Sequence, residues 1–258
     1  MTVADLLATI EEIAPRRCAM KSDNIGLLYG DTAAEVTGIA FALDLTHDLI
    51  NFASEQGANV LLTHHPILWQ PTRSVTADFH EGRLMLAMAR ANLNHVASHT
   101  NWDAAPGGIN DTLAGLLGLQ DVKNFGSFEP CDSPQPYGRV GCLPAPISLL
   151  EFQKQLDQAL DVRSMAYGDP SSKIHRVAVV GGAADGEFAA ALEVDADVFV
   201  TGEVRHHTSL QAGCIIAAGH FATENPGMKA MKEVIEKAHP STPCHFFEPR
   251  KGHSGRPL

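Results

Sequence analysis

Histidines and carboxylates occur together at three points of the chain where an apolar run ends. The pair His64–His65 follows the run 58–63, His99 stands four residues before Asp103, and His220 stands four residues before Glu224. In an open α/β sheet, ligands bind beyond the carboxyl ends of the strands, so such strand ends can meet at one crevice although they are far apart in sequence. Imidazole and carboxylate groups are ligands of divalent metal ions. The spacing therefore predicts a metal site.

The doubled histidine favours two ions over one. Adjacent side chains of an extended strand point to opposite sides, so His64 and His65 cannot easily face one ion if strand geometry continues through them. Asp103, His220 and Glu224 supply two carboxylates and one imidazole as further ligands, and one carboxylate can bridge the ions. The alternative is accidental proximity, because a chain with thirteen histidines places some beside carboxylates as ordinary hydrogen-bonded loop residues.

A ligand set of nitrogen and oxygen without thiolate suits zinc, iron, manganese or cobalt. Five protein ligands for two ions leave coordination positions open to water, which is typical of catalytic sites. Water held between two divalent ions loses its proton near neutral pH and can attack a carbon or phosphorus centre. We therefore expect two divalent metal ions per chain and a hydrolytic reaction.

Helices and strands alternate along the chain and must position these residues. Thr2 is the expected N-cap of a first helix that stops before Pro15. Strands are predicted at 36–43, 59–63, 93–98, 137–142, 176–180, 198–201 and 214–218. Helices are predicted at 46–56, 82–92, 109–117 and 223–238. Two more helices are predicted, one that begins at a capping box of Ser148 and Glu151 and one that begins at Gly186. Because Pro226 fits best in a first helical turn, the last helix is expected to begin near Thr223, which leaves His220 in the preceding loop.

The periodicity fails between Asp121 and Pro136, where Pro130, Pro134 and Pro136 cluster. We expect a domain boundary there. Residues 1–125 would form a first α/β lobe carrying His64, His65 and Asp103. Residues 126–258 would form a second α/β lobe and a returning C-terminal segment, carrying His220 and Glu224.

The composition narrows the class of protein. Nineteen Lys and Arg against thirty Asp and Glu give a net charge of −11, which argues against general nucleic-acid binding. The five cysteines show no C-x-x-C spacing, so the sequence indicates neither a thiolate zinc site nor a disulfide framework. Neither a signal peptide nor a run long enough to span a membrane is evident. We expect a cytoplasmic protein without membrane contact.

Six short motifs, taken together, resemble the NIF-three-like family, the group widely labelled GTP cyclohydrolase 1 type 2 homologues. The motifs are Asp23-Asn24-Ile25-Gly26-Leu27, Leu62-Thr63-His64-His65-Pro66, His99-Thr100-Asn101-Trp102-Asp103, Gly107-Gly108-Ile109-Asn110-Asp111, Thr201-Gly202-Glu203 and Gly219-His220-Phe221-Ala222-Thr223-Glu224. They occur in the family's order, from Asp23 to Glu224. The set is specific, although no single motif would suffice.

The resemblance implies a two-lobed α/β fold with mixed sheets flanked by helices, assembled into a toroidal homohexamer (a trimer of dimers). It also implies a dinuclear metal centre facing the internal cavity. Carried over residue by residue, His65 and Asp103 would hold one ion, His64 and His220 the other, and Glu224 would bridge them. His99 would lie near the centre, as a residue behind the ligands or facing the substrate.

The leading functional hypothesis is a metal-dependent hydrolase of the cyclohydrolase or amidohydrolase type, with His99 or Glu203 moving protons. Its substrate would be a nucleotide such as GTP or a related small molecule. No phosphate-binding P-loop and no dinucleotide fingerprint is present, so the metals and cavity walls would hold a nucleotide. Trp69 and Trp102 either stack on its base or are ordinary packing residues. The rival hypothesis is a non-enzymatic toroidal scaffold or metal carrier.

Overall fold

The computed structural model describes residues 1–126, 136–253 and 256–257. Pro130 and Pro134, on which the predicted domain boundary partly rests, lie outside the described residues. The chain divides into two compact units. The first unit contains Met1–Trp102 and Met228–Leu258, and the second contains Asp103–Gly227.

The first unit contains a five-stranded mixed sheet with helices. Its strands are β1 (Gly26–Tyr29), β2 (Ile39–Ala42), β3 (Val60–Thr63), β4 (Asn94–Ala97) and β11 (Cys244–Phe246), in the order β1-β4-β3-β2-β11. Four of these strands are parallel, and β1 runs antiparallel to β4 at one edge. Its helices are α1 (Val3–Ile13), α2 (His47–Glu55) and α3 (His80–Arg90). The central strands β2, β3 and β4 are buried throughout, as expected of parallel strands covered on both faces.

The second unit contains a six-stranded mixed sheet. Its strands are β5 (Gln120–Phe125), β6 (Gly138–Ser148), β7 (Met165–Tyr167), β8 (Lys173–Val180), β9 (Val198–Thr201) and β10 (Cys214–Ala217), in the order β5-β6-β8-β9-β10-β7. Strands β8, β9 and β10 are parallel neighbours, and the remaining pairs are antiparallel. Helices α5 (Ile109–Leu116), α6 (Leu149–Leu160), α7 (Phe188–Glu193) and α8 (His206–Ser209) belong to this unit.

Two helices contain the points at which the chain changes unit. Helix α4 (Thr100–Ala104) spans the change after Trp102, and helix α9 (His220–Ala238) spans the change after Gly227. The C-terminal segment returns to the first sheet, because β11 pairs with β2.

The boundary between the units differs from the predicted one. Residue 125 ends strand β5, which pairs with β6, and α5 packs on β6 and β8, so residues 103–125 belong to the second unit. Asp103 is therefore a residue of the second unit rather than of the first lobe. Phe125 and Gly138, which flank most of the proline-rich stretch, pair with each other in one sheet, so the change of unit does not fall between β5 and β6.

Most predicted elements are present with ends shifted by a few residues. Thr2 is the N-cap of α1 and the capping box of Ser148 and Glu151 begins α6, both as expected, and Thr2 also forms a capping box with Asp5. Strands β1, β5, β7 and β11 and helices α4 and α8 were not predicted, because each is short or mostly polar. Within the part of the chain that is described, no helix combines the length and apolarity needed to cross a membrane.

Candidate metal centre

The first unit brings three histidines together at the carboxyl edge of its sheet. His64 and His65 follow β3, and His99 follows the neighbouring parallel strand β4. The imidazole centroids lie 5.0 Å apart for His64 and His65, 4.9 Å for His64 and His99, and 5.6 Å for His65 and His99. One ligand atom from each ring lies within 4.8 Å of the others, a group that could hold a metal ion. Strand β3 ends at Thr63, so strand alternation does not separate His64 from His65.

Each of these histidines has its Nδ1 atom held by an oxygen acceptor. Nδ1 lies 3.0 Å from the carbonyl of Ser98 for His64, and 2.7 Å from an oxygen of Asp44 for His65. The Nδ1 of His99 lies 3.0 Å from Asp23. An acceptor on Nδ1 fixes the tautomer with the proton on that atom and leaves the Nε2 lone pair to bind a metal. This is the usual second layer of a histidine metal site.

Asp23 anchors more than one group. It accepts hydrogen bonds from the backbone N–H of Thr100, at 3.0 Å, and from the Thr100 hydroxyl, and so also holds the start of α4. Burial alone would raise the pKa of Asp23. The hydrogen bond from His99, with the bonds from Thr100, outweighs burial, so the pKa of Asp23 falls below its ordinary value. Asp23 is therefore a carboxylate at neutral pH, fit to orient His99.

The second unit places His220 and Glu224 one helical turn apart. Helix α9 begins at His220, not near Thr223, and contains Pro226 in its interior. Proline at this position forfeits one backbone hydrogen bond, but the helix continues through it. His220 and Glu224 therefore share one helix face, and the His220 Nε2 lies 3.0 Å from a carboxylate oxygen of Glu224. The predicted loop position of His220 was wrong.

Glu203 supports His220 in the same manner as Asp44 supports His65. Its carboxylate lies 2.7 Å from the His220 Nδ1. Glu203 follows β9, and His220 follows the parallel neighbour β10, so the pairing arises at adjacent strand ends. The loop after Glu203 is anchored by Asp185, which accepts hydrogen bonds from the backbone and guanidinium of Arg205.

Two glycines leave room for the side of α9 that carries His220 and Glu224. Gly182 follows β8 with φ +67°, and a Cβ there would lie 2.1 Å from a carboxylate oxygen of Glu224. A Cβ on Gly202 would lie 2.8 Å from the Cα of His220. Any larger residue would push into the backbone or the ligand carboxylate. The Gly181–Gly182 pair thus shapes this site and forms no dinucleotide fingerprint.

Asp103 also lies near Glu224 in the second unit. It is 7% exposed, and its carboxylate places an oxygen within 4.8 Å of one of Glu224. The buried side chain of Asn110 links Asp103 to the glycine pair after β8. Its amide nitrogen donates to the carbonyl of Asp103 at 3.3 Å, and its amide oxygen accepts from the N–H of Gly181 at 2.8 Å. The guanidinium of Arg139 donates to the carbonyl of Ala104 at 2.9 Å.

Sequence reasoning missed the supporting residues Asp23, Asp44 and Asn110. Asp44 carries a usable signal, since it follows a buried strand as His64 does. Trp102 is 1% exposed and is a packing residue, whereas Trp69 is 49% exposed. His206 and His207 are exposed on α8 and belong to no group of three potential ligands among the described residues.

The observations define a class of protein: a two-unit α/β chain with two mixed sheets and with histidine and carboxylate groups that could bind metal at strand ends. The family described as Duf34/NIF3 (NGG1p interacting factor 3) matches residues 1–251, and the chain belongs to that family. The predicted resemblance and fold class are thereby confirmed.

Similar proteins and solved structures support the family assignment and the fold. A Clostridium perfringens protein named GTP cyclohydrolase 1 type 2 homolog is 34% identical over 245 residues, covering 92% of each chain. The Staphylococcus aureus protein SA1388 superposes with a TM-score of 0.86 at 25% identity, covering 98% of each chain. A Bacillus cereus protein related to NIF3 superposes with a TM-score of 0.87 at 21% identity, again covering 98% of each, which supports the fold alone.

Proposed function

We propose that the protein is a dinuclear metal-dependent hydrolase of the cyclohydrolase or amidohydrolase type, acting on a nucleotide such as GTP or a related small molecule. The observation that carries the proposal is the state of the three proposed histidine ligands. His64, His65 and His220 each have Nδ1 held by a carbonyl or carboxylate, which leaves Nε2 to bind a metal. The relatives named GTP cyclohydrolase 1 type 2 homolog support the choice of substrate.

The proposed ligand assignment uses five side chains. His64, His65, Asp103 and His220 would each bind one of the two ions, and Glu224 would be shared between them. The donor set contains only imidazole and carboxylate groups, which fits zinc, iron, manganese or cobalt. When bound, two such ions supply a water of lowered pKa and positive charge for a developing oxyanion.

The residues of this chain have separate roles around that chemistry. Asp44 and Glu203 orient His65 and His220 through their Nδ1 atoms and are positioning residues. His99 is held by the ionised Asp23, and its imidazole moves a proton between the reacting group and solvent. Glu203, whose side chain is 59% exposed, is a second candidate for passing protons outward.

Metal content and turnover test the proposal together. Purified protein is loaded with zinc, iron, manganese or cobalt, and hydrolysis of GTP and related nucleotides is measured before and after treatment with a chelator. We expect two ions per chain and turnover that is lost with the ions, in the Asp103→Ala variant and in Glu224→Gln. Turnover unchanged in Asp103→Ala would contradict the mechanism.

The same measurements separate the hydrolase from a metal carrier or scaffold. For a scaffold, removal of the ions lowers the melting temperature or dissociates the oligomer, and no substrate is turned over in any metal form. That combination would replace the hydrolase proposal with its rival.

We further propose that the chain acts in the cytoplasm as a toroidal homohexamer, a trimer of dimers. The support is the family relationship together with four free cysteines among the described residues, as is usual in a reducing compartment. Light scattering coupled to gel filtration should give six times the mass of one chain. A monomer at micromolar concentration would contradict the assembly.

A further inference from the structure

A second feature of the first unit is a pocket in the segment that follows the His64–His65 pair. Residues between Ile67 and Gly82 line it, and its volume is about 400 Å³. This volume lies within the range of small-molecule sites. Trp69, Arg73, Phe79 and Glu81 are its large or charged lining residues.

The pocket exposes two aromatic rings. Trp69 is 49% exposed and Phe79 is 56% exposed, and Val75 in the same segment is 42% exposed. Leaving large apolar side chains in water is unfavourable, and a cluster of them beside a pocket is typical of a binding surface. Exposed aromatic faces are also the usual platform for stacking a nucleobase.

The indole of Trp69 connects this pocket to the histidine group. Its ring centroid lies 5.5 Å from that of His99, with the two planes at 85°. The two rings make an edge-to-face contact and not a parallel stack. A flat ligand ring stacked on Trp69 would therefore lie next to His99.

The charges of the pocket favour a ligand with an anionic part. Arg73 is exposed and forms no ion pair with any residue that the structure describes. Glu81 is the one acidic lining residue, and it lies in the first turn of α3, where the helix dipole offsets its charge. The guanidinium fork of Arg73 is well matched to phosphate oxygens.

We propose that this pocket holds the base of a nucleotide stacked on Trp69 and Phe79, with Arg73 paired to a phosphate group. The inference rests on the proposed function, since it places the ring that a cyclohydrolase opens beside His99, the proposed proton-transfer residue. Stacking recognises any flat heteroaromatic ring, so the pocket fixes the position of the base more than its identity. Arg73 then distinguishes a nucleotide from a nucleoside.

Tryptophan fluorescence localises the ligand directly, because the chain has two tryptophans and Trp102 is buried. Metal-loaded protein and chelator-treated protein are titrated with GTP, guanosine and inorganic tripolyphosphate. We expect saturable quenching by GTP and guanosine in both forms of the protein, and none by tripolyphosphate. Quenching should disappear in Trp69→Phe, in which Trp102 alone emits.

Calorimetric titration of variants measures the contributions of the individual side chains. Trp69→Ala and Phe79→Ala should each raise the Kd for GTP roughly tenfold, and Trp69→Phe by much less, because a ring remains. Arg73→Gln should raise the Kd for GTP and leave that for guanosine unchanged. Arg90→Gln, at the far end of α3, is the matched control and should leave both constants unchanged.

The outcomes distinguish this inference from the hydrolase proposal. Absence of quenching by GTP and guanosine, or a Kd for GTP that Trp69→Ala and Phe79→Ala leave unchanged, overturns the pocket assignment even if turnover is observed. Quenching of the wild-type protein together with weakened GTP binding in the two alanine variants, without turnover in any metal form, would support the pocket assignment and contradict the hydrolase proposal.

Discussion

At the scale of single residues, the histidine Nδ1 contacts determine what the candidate site can do. Asp44 and Glu203 act at equivalent places, each 2.7 Å from the Nδ1 of a histidine at the end of a parallel strand. A carboxylate in this position orients the ring and raises the basicity of Nε2. The supporting carboxylates should therefore matter for metal affinity almost as much as the ligands do.

Neutralising either supporting carboxylate should weaken metal binding without unfolding the protein. We expect Asp44→Asn and Glu203→Gln each to lower the affinity for zinc by about 10- to 100-fold in competition with a chelator. Glu55→Gln and Glu193→Gln remove exposed carboxylates from α2 and α7 and are the matched controls. Affinities equal to those of the controls would show that the two contacts do not support metal ligands.

His95 is a buried histidine whose protonation state affects stability rather than the site. Burial lowers its pKa from 6.5 to about 3, its Nε2 lies 2.8 Å from the Thr63 hydroxyl, and its Nδ1 has no hydrogen-bond partner among the described residues. The folded protein therefore keeps His95 neutral, whereas the unfolded chain takes up a proton below pH 6.5. Stability is retained above that pH and is lost as the pH falls from 6.5 towards 3.

Replacing His95 with leucine should reduce this acid sensitivity. Between pH 7 and pH 5, His95 should account for a loss of about 2 kcal/mol in the free energy of unfolding. Urea unfolding of metal-free wild type and His95→Leu at both pH values measures the difference. If both proteins lose the same free energy between these pH values, His95 is not the neutral buried group described here.

At the scale of elements, each sheet delivers its functional residues from adjacent parallel strands. In the first unit, β2, β3 and β4 are followed within two residues by Asp44, by His64 and His65, and by His99. In the second unit, β8, β9 and β10 are followed within three residues by Gly182, Glu203 and His220. Carboxyl ends of parallel strands lie at one edge of a sheet, which is why residues distant in sequence are neighbours here.

The glycine after β8 provides a test of this arrangement. In Gly182→Ala the new Cβ would meet a Glu224 oxygen at 2.1 Å, and alanine would have to adopt φ +67°. We expect a loss of stability of about 1–2 kcal/mol and roughly tenfold weaker metal binding. Gly186→Ala, where a Cβ meets nothing within 4 Å, is the control and should change neither quantity. Unfolding and metal titrations that do not separate the two variants would refute the proposed role of Gly182.

The ends of the buried strands were predictable from the sequence, and the start of α9 was not. His64 and Glu203 were identifiable because each follows an apolar run, the signature of a buried parallel strand, whereas the run before His99 also contains Asn94 and His95. The start of α9 was missed because Pro226 was assumed to lie in the first helical turn, whereas the helix begins at His220 and continues through the proline. Asp23 was missed as a supporting residue because its contact with His99 spans 76 residues, and no local pattern encodes such a distance.

At the scale of the whole molecule, the division into units could not be predicted from local composition. Pairing of β5 with β6 assigns residues 103–125 to the second unit, and pairing of β11 with β2 assigns the C-terminal segment to the first. Both pairings depend on contacts between strands, which local composition does not encode. The family relationship, in contrast, was readable from six motifs because their order extends through nearly the whole chain.

The most direct test of the account is a crystal structure of the zinc-loaded protein with anomalous diffraction recorded at the zinc edge. We predict two zinc peaks per chain, bonded to the Nε2 atoms of His64, His65 and His220 and to the carboxylates of Asp103 and Glu224, with Glu224 shared between them. Zinc bound through Nδ1 atoms, or no zinc at these five side chains, would contradict it.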